Sequence, residues 1–172
     1  STAGANAGDS FTSGQATDNT LIGYDAGTAV TTGDQNTALG SLALAANTTA
    51  GNNTAIGYGA LNDNTTGTTN TAVGSGSLDH NTTGDYNTAV GYNSLDANTD
   101  ANNNTAIGYQ AATANTTGSQ NVAVGSNSLK TNTTGLKVTA VGYDSLQANT
   151  TGAENSGFGR NSLYTNTTGA YN

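Results

Sequence analysis

From Asn19 to Tyr171 the chain is nine consecutive copies of one 17-residue unit, with no residue inserted or lost between them. The consensus reads N-T-A-[VI]-G-Y-x-S-L-x-x-N-T-T-G-x-x. Helix pairs and propeller blades need roughly 33 to 45 residues per unit, so a period this short excludes both. It suits one coil of a stacked β-structure, in which every consensus residue lies over its counterpart in the copy before. At ~4.8 Å per coil, the nine copies predict a rod of roughly 43 Å.

Composition alone reads differently. Hydrophobic residues make up 33% of the chain and the net charge is −8, a balance that points toward disorder rather than a packed domain. The phase of the apolar residues overturns that reading. Leu holds position nine in seven of nine copies, from Leu44 to Leu163, and an aliphatic residue or Phe holds position four in all nine, from Ile22 to Phe158. Three basic residues against eleven acidic ones exclude a phosphate-tracking nucleic-acid surface. No apolar run approaches the ~20 residues of a membrane-spanning helix. Without cysteine there are no disulfides or thiolate sites. Without methionine, Ser1 is not an initiator, and the expectation is a processed chain or a segment of a longer one.

Within one unit, T-A-[VI]-G-Y has the alternation and β-branching of a short strand. The strictly repeated Gly at position five, Gly23 through Gly159, predicts positive φ or a place where no side chain fits. A second short strand is expected through S-L, and N-T-T-G turns the chain back. Asn at positions one and twelve predicts amide ladders from coil to coil. The fold class expected is all-β: a single-stack β-solenoid, or parallel β-roll, of nine 17-residue coils (19–171) plus a degenerate first coil. That first coil is residues 1–18, where Gly4-Ala5-Asn6-Ala7-Gly8 echoes Gly23 to Gly27 and Ser13-Gly14 echoes Thr32-Gly33; Asn172 begins a further copy.

Parity leaves one question open. Positions two and four share a strand face and positions three and five the other. Either the small Ala/Gly face lines a narrow interior and the Val/Ile row points outward, or the reverse. Both arrangements press another surface against the sheet, which favours a symmetric oligomer.

Chemical constellations are sparse. His80 is the one histidine, read as a solvent-facing loop residue. Asp79 and Asp96 alone share a position on adjacent coils, so no acidic ladder forms, and no carboxylate pair, Ser-His-Asp set or phosphate loop recurs. No enzyme activity, cofactor or metal is expected. Nine N-x-[ST] acceptors, Asn47, Asn52, Asn64, Asn81, Asn103, Asn115, Asn132, Asn149 and Asn166, are candidates for N-glycosylation. Thr48, Thr65, Thr82, Thr99, Thr116, Thr133, Thr150 and Thr167 form a candidate surface ladder at position thirteen. Tyr24, Tyr58, Tyr92, Tyr109 and Tyr143 form a candidate aromatic row at position six.

The unit intact in Asn87-Thr88-Ala89-Val90-Gly91-Tyr92-Asn93-Ser94-Leu95 resembles the repeats of trimeric autotransporter adhesin heads and the shaft repeats of phage tail fibres. The resemblance implies left-handed parallel β-rolls in homotrimers, at a cell surface or on a virion fibre. The unit here is longer than in those heads, with the excess in the N-T-T-G turn. The expected function is a structural or adhesive extracellular fibre segment with itself as partner, as a homotrimer or end-to-end filament, and with glycans or a cell surface as further contacts. No nucleic acid or membrane insertion is expected. An alternative is an ice-binding solenoid using the Thr ladder, although adjacent threonines point to opposite sides and a two-row face needs T-x-T spacing. A third is a carbohydrate-binding module using the Tyr row.

Overall fold

The computed structural model describes residues 2–11 and 15–172, with Thr2 described by its backbone alone. The expected echo at Ser13-Gly14 lies outside them. The described chain is a β-solenoid without helix. Ten parallel strands form one sheet in strict chain order, from β1 (Thr2–Ala3) and β2 (Thr20–Ile22) to β10 (Ser156–Phe158). From β2 onward each residue pairs with the one seventeen positions later, as in Thr71↔Thr88 and Ala72↔Ala89. The first coil is longer: Thr2 pairs with Leu21 and Ala3 with Ile22.

The parity question has a clear answer. The middle strand residue points inward: Ala55, Ala72, Ala89 and Ala106 have no solvent exposure. Its neighbours at positions two and four point outward, as half-exposed Thr71 and Val73 do. The interior is accordingly thin. It holds one Leu row, Leu44 to Leu146, against small residues at positions three and eight, and the Asn rows fill the two corners.

The S-L segment is not a second strand. It forms a run of turns over positions five to eleven, in which positions seven and nine adopt left-handed backbone, as at Asn93 (φ 49) and Leu95 (φ 51). A non-Gly residue there costs roughly 1–2 kcal/mol, and burial of the Leu side chain offsets it. The alternating backbone turns successive N–H groups toward opposite neighbours. Asn93 N–H donates back to Ser75 O, while Leu95 N–H donates forward to Ala111 O, each at 3.0 Å. Position-five glycines before the last coil meet both conditions the sequence allowed. Gly91 has φ 136, and a Cβ there would run into the Gly108 carbonyl of the next coil.

Candidate functional surfaces

Three features of the coil bear on function: the asparagine corners, the rows on the outer surface, and a small charged cluster.

At position one, each Asn holds the next coil, and every one but Asn104 also closes its own. Asn53 Nδ2 donates to the Gly67 carbonyl at 2.9 Å, and its Oδ1 accepts the Asn70 backbone N–H at 2.9 Å. At position twelve, the side-chain amides bond one another. Asn81 Nδ2 donates to Asn64 Oδ1 at 2.8 Å and to Gly84 O at 3.1 Å, and Asn98 Nδ2 donates to Asn81 Oδ1 at 2.8 Å. This row contains seven of the glycosylation candidates. Asn47, Asn64, Asn81, Asn115, Asn132 and Asn149 are fully buried, so the nitrogen that would carry a glycan is enclosed in the corner. Asn166 is half-buried and bonds Asn149 in the same way. Asn52 and Asn103, at position seventeen, are exposed.

The position-thirteen threonines are half-buried or, at Thr167, exposed, and their hydroxyls are engaged along the stack. Thr65 Oγ1 donates to Thr82 O and Thr82 Oγ1 to Thr99 O, both at 3.0 Å. The same arrangement links Thr48, Thr99, Thr116, Thr133 and Thr150 to the coil that follows. Regular outward rows lie beside them at position fourteen, as at exposed Thr66 and Thr83, and at positions two and four of the strand. There Thr71 and Thr88 alternate with Val73 and Val90, and Ile22, Leu39 and Ile107 are 40 to 46% exposed. The signal for this face was the parity of the strand together with its uncharged outer positions.

Tyr24, Tyr58, Tyr92, Tyr109 and Tyr143 are all exposed. The row is not a set of equivalent free ring faces. Tyr92 and Tyr109, on adjacent coils, stack on each other at 5.6 Å with 12° between planes, and Arg160 lies 5.6 Å over the Tyr143 ring.

His80 is exposed, as expected, but not isolated. Its Nδ1 lies 3.3 Å from the Asp96 carbonyl and 3.5 Å from Asp96 Oδ1; both are acceptors, so Nδ1 carries the proton in this contact. Donor atoms of Asp79, His80 and Asp96 lie within 4.8 Å of one another, a spacing a divalent cation would fit. Burial pushes the Asp79 carboxyl above its ordinary value; Asp96 and Asp63 add to this, and His80 and an Asn62 hydrogen bond oppose it. Burial likewise raises Asp96, with His80 opposing. For His80, burial pulls the pKa down, but Asp79, Asp96 and Asp63 outweigh it and the net direction is up. The sequence signal was present: aspartates at position ten of two adjacent coils, with His80 and Asp63 neighbours at position eleven.

No helix among the described residues is long and apolar enough to cross a membrane. Compared with family models, curated proteins and solved structures, the chain matches none.

Proposed function

We propose that this chain is a structural segment of an extracellular fibre, whose function is to be a stiff, polar rod. The observation that supports the reading is the continuity of bonding between coils. In the fifth coil, Thr88, Leu95, Ala97 and Thr99 donate backbone N–H groups forward, and Gly91, Asn93 and Asn103 donate backward. Equivalent bonds recur through the stack, so bending the rod strains several hydrogen bonds at each coil junction. The likeness of the unit to adhesin-head and tail-fibre repeats supports the same reading. Its natural partner is another copy of the chain.

Glycans enter this reading at Asn52 and Asn103, the candidates outside the Asn corner. Attachment at the buried row would require each coil to open. Peptide mapping of native material tests this: modification of Asn81 or Asn132 in folded protein would overturn it. Carbohydrate stacking on the Tyr row has weaker support, because three of its five rings already pair with a neighbouring side chain.

Light scattering on native material eluting from a sizing column tests the fibre reading. A trimer or a filament supports it. A monodisperse species at the chain mass of 16.9 kDa overturns self-association.

A further inference from the structure

We propose that the outer face of the sheet binds ice, with the Thr row at position two and the Val/Ile row at position four as the contact. The inference goes beyond the fibre reading and stands on a different observation, the two-dimensional regularity of this face. Strand register repeats without a slip from β2 to β10. Counterparts along the stack are therefore ~4.8 Å apart, and positions two and four of one strand are about 6.7 Å apart. Both spacings lie near the oxygen repeats of the prism face of hexagonal ice.

The chemistry of the two rows suits the same occupant. They carry no charged residue, in a chain of net charge −8; the ionic side chains sit in the turns instead. Thr, Val and Ile are stiff at χ1, so holding the array in place costs little side-chain entropy on contact. Their methyl groups restrict first-shell water, and the Thr hydroxyls can bond it. No side-chain hydrogen bond within the described chain takes up the Thr71 or Thr88 hydroxyl, unlike those of the position-thirteen row. The T-x-T spacing that the adjacent threonines of N-T-T cannot supply is thus met here in the form T-x-[VI].

A second copy is the competing occupant. The face measures about 43 Å by about 10 Å, so two copies set face to face would bury less than ~1,000 Å² in total, short of what a stable pair needs. An area of that size is better matched to ordered water than to one protein partner.

The test is thermal hysteresis, the gap between melting and freezing points, measured on the native chain with its mass followed by light scattering. Thr88→Lys and Val90→Lys place a charge at the centre of the face. Thr83→Lys, at the exposed position fourteen, serves as the control. The expected result is hysteresis in the native chain, most of it lost in both face variants and retained in the control. Circular dichroism checks folding, and Val90→Ser, which removes methyl groups without adding charge, replaces any lysine variant that fails to fold. A monomer without hysteresis overturns the proposal, as does equal loss in the control. An oligomer without hysteresis likewise overturns ice binding, and leaves the fibre reading standing.

Discussion

The fifth coil (87–103) and the sixth (104–120) are adjacent in the stack and nearly identical in backbone, yet their interiors differ. In the fifth, Leu95 fills the centre with no exposure, and Asn87 Nδ2 reaches the Ala101 carbonyl at 2.8 Å. In the sixth, Ala112 stands in the Leu row, and Asn104 Nδ2 is buried without a partner. The strand register does not change across the boundary, and the position-twelve bond lengthens only from 2.8 Å to 3.2 Å. Coil geometry is therefore set by the backbone ladder and the position-five glycines, and the side chains inside decide how stable each coil is.

The most severe way to break this contrast is to make the fifth coil resemble the sixth. Leu95→Ala would put two consecutive small residues in the central row. The expected cost is about 2–5 kcal/mol, read from urea unfolding. A cost near zero would mean that the ladder alone carries the coil and that the Leu row is incidental.

The next largest effect comes from the Asn corners. Asn87→Ala removes the bond to Ala101 O and the acceptor for the Asn104 N–H at 3.0 Å. Asn104→Ala removes only the acceptor for the Asn121 N–H at 2.9 Å and also deletes an unpaired buried donor. Either variant leaves one buried N–H unsatisfied, at roughly 1–3 kcal/mol; Asn87→Ala also loses one of the two bonds to Ala101 O, so it should be the more destabilising of the two. Equal losses would show that the Asn104 nitrogen has a partner in solution.

Ala112→Leu runs the comparison in the opposite direction. Restoring the row between Leu95 and Leu129 should raise stability by about 1 kcal/mol, less than the ~1.5–3 kcal/mol of full Leu burial because neighbours must readjust. A loss instead would show that the flanking leucines have already closed over the site.

Much of this was legible from the period. Fold class, coil number, the Asn ladders and the two demands on glycine follow from seventeen-residue phase and residue type. The S-L turns were not, because S-L carries no Gly or Pro and reads as extended; left-handed backbone at Leu95 is tolerated only once the side chain is buried. Nor was the enclosure of the sequon asparagines, since N-T-T is equally good surface-turn chemistry and only closure of the corner shows which way the amide points. The outward face was half legible: parity paired positions two and four, but not which pair met solvent. The charged cluster was half legible: matching residues mark it on adjacent coils, but the match does not continue along the rod as the other rows do.

That cluster sets the smallest expected effect, on the surface of the fourth and fifth coils rather than inside them. Asp79, Asp96 and His80 all have pKa values raised in the folded chain, from ordinary values of 3.8, 3.8 and 6.5. The folded state thus binds these protons more tightly than the unfolded state. Their stabilising contribution is full below the ordinary values and fades as pH rises through the raised ones. For His80 the decline begins near pH 6.5 and is complete above its raised value, whereas the carboxylates act at lower pH. The native chain should therefore melt at a slightly lower temperature at pH 8 than at pH 5.5. His80→Gln should reduce that difference, and Asp79→Asn should leave stability at pH 8 unchanged or slightly higher. Each effect should stay within about 1 kcal/mol, as for exposed ion pairs, and well below the loss from Leu95→Ala. A pH effect as large as that loss would place the limiting element of the rod in its turns and not in its interior.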